Sequence, residues 1–328
     1  MSEGLMSGST STFSSSPTPE WLRMITSSSH VDDVVALTGG ASRHTYRFRA
    51  DGRSMIVQRQ RQGSDRSLVA ESHLVELARS HGVPAPERVA SGTDDDGLEY
   101  HVALVVAGET IARKILRDER FAFARTALPA QLGAALGALG TVDPGDAPEL
   151  DRIDQLDRFR EVADELDVVN PVFELAFARL REERPDRSQS ASIVHGDFRL
   201  GNVIVDERGL AAVIDWELAH LGDPAEDLAW LCAPAWRFGG SRPVAGIGEY
   251  EELLDSYAAV SGRTVDRETL TWWRILATLK WGIMCVQQAR THLDGVARSH
   301  ELAAIGRRVC QTEDDLLREL NDVTDVLP

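Results

Sequence analysis

One stretch of the chain, SIVHGDFRLGNVIVDERGLAAVIDWELAHLGDPAEDLAW, constrains the fold because it spaces three polar side chains between short apolar runs. Asp197 ends an HGD triplet, Asn202 follows it by five positions, and Asp215 follows the asparagine by thirteen. Residues 202–205 and 210–214 read as strands joined by a tight turn, which predicts a β-hairpin. A hairpin of that length returns Asp215 to the neighbourhood of Asn202. We therefore expect the three side chains at one end of a small sheet.

These three side chains suit a magnesium-dependent chemistry. The oxygens of an Asp/Asn pair are the ligands that Mg²⁺ prefers, with waters and phosphates completing its shell. Asp197 is then left to act on a hydroxyl proton. Phosphoryl transfer of the kinase type uses such an arrangement: a catalytic-loop Asp, an Asn five positions later, and a following Asp on the metals. The alternative, a buried histidine and aspartate that only cap a turn, requires three spaced elements to coincide by chance.

At these residues the chain resembles the aminoglycoside phosphotransferase and choline kinase superfamily, whose motif is H-G-D-x-x-x-x-N followed by I-D-W/F. HGDFRLGN, VIDWELAHLGDPAEDLAW and the late GRR are similar to the phosphotransferase domain found alone in bacteria and fused to acyl-CoA dehydrogenases. The resemblance runs from about Val31 to the C-terminal helix. It implies a protein-kinase-like two-lobed α+β fold, with a small antiparallel-sheet N-lobe and a mainly helical C-lobe. It also implies a small-molecule kinase that uses ATP and Mg²⁺.

The chain divides accordingly into a tail and two lobes. Residues 1–17 are dominated by Ser, Thr and Gly and predict a disordered tail. Residues 18–107 form the predicted nucleotide-binding N-lobe, and residues 108–328 form the predicted C-lobe with the catalytic loop and acceptor site. The hydrophobic patterns predict N-lobe strands at 31–37, 44–49, 54–61 and 99–106, with helices at 19–25 and 67–80. C-lobe helices are predicted at 110–116, 121–139, 153–166, 171–183, 225–230, 248–261, 267–288, 299–310 and 314–320.

Composition excludes several classes of partner. The 35 Lys and Arg residues against 52 Asp and Glu give a formal net charge of −17, whereas nucleic-acid and anionic-membrane surfaces require clustered basic residues. No apolar stretch is long enough to span a bilayer. The three cysteines lie far apart without a CxxC pair, so neither a zinc site nor a disulfide framework is indicated. We expect a cytoplasmic protein that binds neither nucleic acid nor membrane.

A loop of small residues joins the first two predicted strands. Its sequence, TGGASR, lets the backbone N–H groups of Gly39, Gly40 and Ser42 approach phosphates closely. A Gly-Gly turn is usually only a turn, and the downstream motif is what favours phosphate contact here.

Further nucleotide contacts are implied by the resemblance. Arg59 stands where the kinase pattern places its strand lysine, and an arginine can hold the α- and β-phosphates bidentately. The register leaves Gln58 and Arg61 as alternatives. Glu71 stands where the family places the acid that pairs with this cation, although a solvated helix glutamate is an equal alternative.

The segment after the last N-lobe strand resembles the hinge between the lobes. The backbone groups of residues from Leu104 to Val106 are there expected to meet adenine. The family usually has a polar or acidic residue at the position of Leu104. Its absence leaves the adenine contacts to the backbone and leaves the choice between ATP and GTP open.

Two charged residues accompany the central motif. Arg199 lies two residues after Asp197, where a cation would stabilise the charge that spreads over the transferred phosphoryl group; a surface arginine is the alternative. By resemblance, the Asp227 carboxylate accepts hydrogen bonds from the catalytic-loop backbone. Its alternative is a helix-start acid that compensates the macrodipole.

The acceptor is expected to be a small molecule with a hydroxyl group. Residues 241–328, where relatives build much of the acceptor site, hold 14 acidic and 10 basic residues, so little of the negative charge lies where a polycationic aminoglycoside needs it. An apolar or acyl acceptor with an anionic end, such as a hydroxyacyl compound or its CoA thioester, suits this region better. An aminoglycoside kinase and a nucleotide-binding regulatory module without transfer activity remain alternatives. The residues on which this preference rests are Trp236, Phe238, Trp272, Trp273, Trp281, Arg307 and Arg308.

Overall fold

The computed structural model describes residues 16–37, 43–64, 66–185 and 191–324, with side chains described up to residue 321. The predicted disordered tail, 1–17, lies outside these residues except at its last two positions. The described chain forms two compact units, each with its own hydrophobic core. The first unit contains the described residues up to Val69 together with Glu87–Val105, and the second contains Ala70–Pro86 together with those from Val106 onward. Residues 70–86, which are predicted to belong to the N-lobe, thus lie in the second unit.

The first unit is built on an antiparallel sheet, as predicted, and this sheet has five strands where four were predicted. Its strands are β1 (Val31–Leu37), β2 (Arg43–Ala50), β3 (Arg53–Gln60), β4 (Arg88–Thr93) and β5 (Glu99–Leu104), in the spatial order β1-β2-β3-β5-β4. Asp51 and Gly52 join β2 to β3 with positive φ angles of 47° and 79°, the geometry that an Asp-Gly hairpin turn favours.

Strand β4 was not predicted from the sequence. Its central residues, VASG, include small and flexible types with little strand preference. Ala90 pairs with Val102 and Gly92 with Tyr100 of β5, so pairing with a neighbouring strand decides the conformation of this segment.

A short helix and a buried cluster complete the first unit. In α1 (Pro19–Thr26), the Thr18 hydroxyl accepts a hydrogen bond from the Trp21 N–H at 3.2 Å and caps the helix. Leu22 of α1 is fully buried in one cluster with Phe48 and Val57 of the sheet. The next helix, α2 (Leu68–Ser80), begins in the first unit and continues into the second.

The second unit is mainly helical, as predicted. Within the described ranges, no helix is both long and apolar enough to cross a membrane. The three cysteines of this unit are free thiols. The helices are α3 (Ala112–Arg117), α4 (Ala122–Leu139), α5 (Gln155–Glu165), α6 (Pro171–Glu182), α7 (Ala225–Cys232), α8 (Tyr250–Ser261), α9 (Arg267–Leu293), α10 (His300–Gly306) and α11 (Val309–Thr324).

The end of the chain departs from the predicted helices at 299–310 and 314–320. The break falls at Arg307 and Arg308, and α11 runs without interruption from residue 309. Thr312, Leu316 and Leu320 are all buried, and their spacing of four residues puts them on one face of the helix. Burial of this continuous stripe explains why α11 does not break where the sequence predicted.

Two small antiparallel sheets carry the central motif. Strand β6 (Ser192–Val194) pairs with β9 (His220–Gly222), and β7 (Val203–Asp206) pairs with β8 (Gly209–Val213). The predicted hairpin is therefore confirmed. Gln131 of α4 fixes the β8 end of this hairpin because its Oε1 accepts a hydrogen bond from the Leu210 N–H at 2.8 Å.

Candidate active site

The predicted catalytic loop consists of residues 195–202 between β6 and β7 and carries the HGD triplet. After β6 the chain passes through the triplet to a single 3-10 turn, Leu200–Asn202, and then enters β7. Gly196 adopts φ of 82°, and a β carbon there would lie 2.4 Å from the Leu218 carbonyl oxygen. The tight turn before Asp197 therefore requires glycine.

The Asp197 carboxylate is held at both of its oxygens. Oδ1 accepts hydrogen bonds from Arg199 Nε at 2.9 Å and from Trp230 Nε1 at 2.7 Å. Oδ2 accepts one from Asn202 Nδ2 at 2.6 Å. The Asp197 side chain nevertheless remains 16% exposed. The structure thus brings three predicted site residues together around a carboxylate that still reaches solvent.

The hairpin brings Asp215 back toward Asn202. The Ile214 N–H, one residue before the aspartate, donates to the Asn202 carbonyl oxygen at 3.0 Å. Asp215 is exposed and has φ of 66°, a left-handed conformation that costs most non-glycine residues about 1–2 kcal/mol and that aspartate tolerates better than most. The backbone therefore turns sharply at the point where the second predicted metal ligand stands.

The side chains of Asn202 and Asp215 fit a magnesium ion. Asn202 directs its amide NH₂ at Asp197, with Nδ2 donating to both the carbonyl oxygen and Oδ2 of that residue, so its amide oxygen is the atom left for a metal. Among the described residues, no three His, Cys, Asp or Glu side chains form a metal-binding group. A site of two protein oxygens suits an ion that completes its shell with water and phosphate.

His195 is a fully buried, neutral histidine. Its Nε2–H donates to the Ile214 carbonyl oxygen at 3.0 Å, and its Nδ1 accepts from the Asp197 N–H at 3.3 Å. Burial lowers the pKa of His195 to about 4, although the nearby Asp197 carboxylate opposes the shift. The ring packs on Trp216 with centroids 4.8 Å apart. His195, in its neutral form, therefore links the catalytic loop to the hairpin by hydrogen bonds.

Asp227 on α7 binds the backbone of the catalytic loop, as the resemblance implied. Its Oδ2 accepts from the His195 N–H at 2.6 Å, and its Oδ1 accepts from the Gly196 N–H at 3.0 Å. Burial, together with the adjacent Glu226 carboxylate, raises the pKa of Asp227 to about 7.

A buried charge network behind the catalytic loop was missed from the sequence. Lys280 of α9 donates through Nζ to the Gly196 carbonyl oxygen at 3.0 Å and to Glu226 Oε1 at 3.3 Å, and Glu226 Oε2 lies 3.0 Å from His220 Nε2. Although burial opposes both charges, Lys280 and His220 lower the pKa of Glu226, and Glu226 raises the pKa of His220. The sequence feature that could have indicated this network is the single lysine, Lys280, in the mostly apolar run ILATLKWGIM.

An aromatic cluster lies beside the Asp197 carboxylate. Trp236 packs against Trp230 and Trp281 with ring centroids 5.2 and 4.7 Å apart, and Phe238 lies at 6.3 Å. The Arg199 guanidinium carbon is 4.6 Å from the Trp236 ring centroid. Arg199 is therefore stacked on this cluster as well as bonded to Asp197, and it is not a free surface arginine.

Two of the tryptophans grouped with that cluster from the sequence lie elsewhere. Trp272 and Trp273 pack edge to face with centroids 5.0 Å apart and belong to the main core of the second unit. The Trp272 indole N–H donates to the Leu180 carbonyl oxygen at 2.9 Å. The sequence could not separate the two groups because only the packing of the folded chain decides which of these rings meet.

In the first unit, Arg59 is held by an acidic turn. It lies on the same face of β3 as the buried Val57, as predicted, and its side chain is 14% exposed. Its guanidinium donates to both Asp94 and Asp96. Gln58 accepts a hydrogen bond from Arg43 at 3.1 Å.

The other predicted nucleotide contacts are only partly described. Gly39, Gly40 and Ser42 lie outside the described residues. Glu71 is half-buried on the first turn of α2. Leu104 ends β5 and donates its N–H to the Glu87 carbonyl oxygen at 2.9 Å, and Val106 is half-buried at the start of the second unit's main segment.

Solved structures share this fold over nearly the whole chain. A Ralstonia eutropha protein assigned to the aminoglycoside phosphotransferases aligns with a TM-score of 0.74 at 17% identity, covering 93% of this chain and 97% of that one. A thermostable mutant of an aminoglycoside phosphotransferase, in ternary complex with AMP-PNP and hygromycin B, aligns with a TM-score of 0.61 at 17% identity, covering 92% and 97%. The predicted kinase-like fold is therefore confirmed.

The curated relatives carry an acyl-CoA dehydrogenase name. Acyl-CoA dehydrogenase family member 11 of Gallus gallus is 25% identical over 316 residues, which is 87% of this chain and 40% of that protein. The Homo sapiens protein of the same name is 33% identical over 93 residues, 25% of this chain and 12% of that protein. The chain thus spans less than half the length of these relatives, and the resemblance to the dehydrogenase-associated branch is confirmed.

The family is shown by a match to a family model. The model of the phosphotransferase enzyme family matches residues 33–267. That range includes most of the first unit's sheet, the catalytic loop, the hairpin and α7. Because the match covers well over half of the chain and all of the central motif, the chain belongs to the phosphotransferase enzyme family.

Proposed function

We propose that the chain transfers a phosphoryl group from ATP, with Mg²⁺, to a hydroxyl group of a small molecule. The observation that carries this proposal is the Asp197 carboxylate, which donors hold at both oxygens while the side chain keeps contact with solvent. A positioned carboxylate of this kind can accept a proton from an acceptor hydroxyl. A regulatory module without transfer activity is the weaker proposal, because the residues proposed as the base and as both metal ligands are present.

In the proposed reaction, the acceptor oxygen forms a bond to the γ-phosphorus, and the bond from that phosphorus to the β,γ-bridging oxygen breaks. ADP leaves, and the hydroxyl proton passes to Asp197. Arg199 neutralises negative charge on the transferred phosphoryl group. Asn202 and Asp215 would hold Mg²⁺, which when bound screens the phosphate oxygens and orients them.

The nucleotide phosphates are proposed to bind the first unit. Arg59 is the proposed phosphate cation. It already donates to Asp94 and Asp96, so phosphate would compete with these carboxylates for the guanidinium. The remaining proposed contacts are the backbone of Gly39, Gly40 and Ser42 at the phosphates, Glu71 as the partner acid, and the backbone of Leu104 and Val106 at adenine.

The acceptor is proposed to be a hydroxyacyl compound, free or as its CoA thioester. The cluster of Trp236, Phe238 and Trp281 next to the catalytic loop supports an apolar acceptor. The Arg308 guanidinium carbon lies 5.7 Å from the Trp281 ring centroid, which supports an anionic end. The acyl-CoA dehydrogenase names of the relatives point in the same direction.

An aminoglycoside acceptor is the second candidate. Structural neighbours with the same fold have been crystallised with hygromycin B and with kanamycin. A polycationic acceptor would need carboxylates around its amino groups, whereas the catalytic carboxylate here is flanked by Arg199 and indole rings. This arrangement disfavours the aminoglycoside.

The test is a side-by-side measurement with the full chain. MgATP is incubated with 3-hydroxydecanoyl-CoA, with 3-hydroxydecanoate or with kanamycin, and the phosphorylated product is quantified by mass spectrometry. We expect a higher kcat/KM for the acyl compounds, and a higher value for kanamycin would overturn the acyl preference. Binding of MgATP without product from any hydroxyl acceptor in a wider metabolite screen would favour the regulatory module.

A further inference from the structure

Three tryptophans of the aromatic cluster differ in what their indole N–H groups bind. Trp230 is 1% exposed and donates through Nε1 to Asp197 Oδ1 at 2.7 Å. The Nε1 atoms of Trp236 and Trp281 are buried and have no hydrogen-bond partner in the described part of the chain. Within this cluster, Trp230 is thus distinguished by a hydrogen bond to the catalytic carboxylate.

Asp197 Oδ1 has two donors, and their roles differ if the proposed function is correct. Arg199 is 25% exposed and is assigned to the phosphoryl group, so its hydrogen bond to Oδ1 weakens or breaks when it turns to the nucleotide. Asn202 would bind the metal through its amide oxygen and keep its Nδ2 on Asp197 Oδ2. Trp230 is buried and has no role at the nucleotide, so its hydrogen bond to Oδ1 persists during turnover.

The backbone and packing around Trp230 hold its indole in place. Asp227 lies three residues earlier on α7, on the same side of the helix, and binds the N–H groups of His195 and Gly196. Lys280 Nζ lies 4.6 Å from the Trp230 ring centroid while it donates to the Gly196 carbonyl oxygen. A cation against the ring face is attracted to it and makes the indole N–H a stronger donor.

We propose that Trp230 is a positioning residue for the reaction, fixing Asp197 Oδ1 so that Oδ2 faces the acceptor hydroxyl. Lys280 supports it by fixing the indole ring and the Gly196 carbonyl group together. Loss of one hydrogen bond to a charged group corresponds to about a ten- to a hundredfold fall in rate when that bond orients the base. The effect is expected on kcat and not on the KM for ATP.

The kinetic test compares Trp230→Phe with Trp272→Phe in the full chain. Both substitutions remove a hydrogen-bonded indole N–H from a buried ring, so Trp272→Phe controls for the loss of such a group away from Asp197. With MgATP and either 3-hydroxydecanoyl-CoA or kanamycin, we expect kcat to fall about ten- to a hundredfold in Trp230→Phe alone. Equal kcat values in the two variants would overturn the proposal.

A second measurement does not depend on activity. In protein with ¹⁵N-labelled tryptophan, the Trp230 indole resonance is assigned by its absence from Trp230→Phe. We expect it to shift in Asp197→Asn and in Lys280→Arg, while the Trp272 resonance stays in place. A Trp230 resonance that does not respond to Asp197→Asn would refute the hydrogen bond. If wild-type protein phosphorylates neither acceptor, the proposed function is in question, and the resonance still decides this inference.

Discussion

The two units each carry a predicted charged site, but the surroundings of the two sites differ. In the second unit, the catalytic loop is held by groups that are almost fully buried: His195 is 0%, Asp227 2% and Lys280 5% exposed. In the first unit, Arg59 is held partly by Asp96, whose side chain is 75% exposed. Exposed ion pairs contribute little stability. We infer that the loop is built to keep its geometry, whereas Arg59 can exchange one partner for another.

The largest effect is expected on kcat when Asp197 of the catalytic loop is replaced. Asp197→Asn should lower kcat by about 10²–10⁴, which is the usual contribution of a positioned base. Affinity for MgATP should stay near the wild-type value because this carboxylate serves the acceptor. Steady-state kinetics and calorimetry check the two statements separately. A variant with wild-type turnover would show that the reacting proton goes elsewhere.

The next prediction tests whether water is excluded from the catalytic loop at His195, as the burial of that side chain indicates. The folded pKa of His195 is about 4, below the unfolded value of 6.5, so its contribution to stability is fully present above pH 6.5 and is lost as the pH falls through 4. The shift corresponds to about 3 kcal/mol.

His195→Gln keeps a donor for the Ile214 carbonyl oxygen but does not titrate. The difference in unfolding free energy between wild type and His195→Gln, measured by denaturant titration, should therefore shrink by about 3 kcal/mol between pH 6.5 and pH 4. A difference that does not change with pH would mean that His195 is solvated and can be protonated in the folded protein.

A smaller effect is expected at the two proposed metal ligands. Asp215→Gly and Asn202→Ala should each weaken Mg²⁺-dependent nucleotide binding by about tenfold or more, as loss of a metal-site partner commonly does. Glycine is chosen at 215 because it accepts the positive φ without strain. Asp206→Ala, at the opposite end of the same hairpin, is the matched control. Calorimetry with equal MgATP affinity for Asp215→Gly and wild type would remove the metal assignment.

The smallest effect is expected on the KM for ATP when Asp96, the exposed carboxylate bonded to Arg59, is replaced. Asp96→Asn removes one of the two carboxylates that compete with phosphate for the guanidinium, so the KM for ATP should fall, by at most a few-fold for so exposed a pair. Arg59→Gln should raise the same KM. If Asp96→Asn instead raised the KM for ATP, the acidic turn would support nucleotide binding. The inference that Arg59 can exchange Asp96 for phosphate would then be wrong.

Much of the second unit was predictable because its signals are contiguous. The triplet, Asn202 and Asp215 fall within about twenty residues, and the hairpin that joins them has a clear alternating pattern. Lys280 could not be placed, since it lies far along the chain and its role depends on how α9 packs against α7. In the first unit, Asp94 and Asp96 stand in an acidic turn of ordinary sequence, and only the pairing of β5 with β3, which sets Tyr100 opposite Arg59, brings that turn to Arg59.

The positive φ at Asp215 has a consequence for how such a protein can change over generations. Glycine would hold this backbone at lower cost than aspartate, and asparagine tolerates it almost equally well. Both replacements are one nucleotide away from either aspartate codon. A gene of this kind can therefore lose its proposed metal ligand by a single mutation without strain in the backbone, and selection for this backbone conformation alone would not restore it. Protein abundance in a cell would not reveal such a loss, whereas an assay of product formation would.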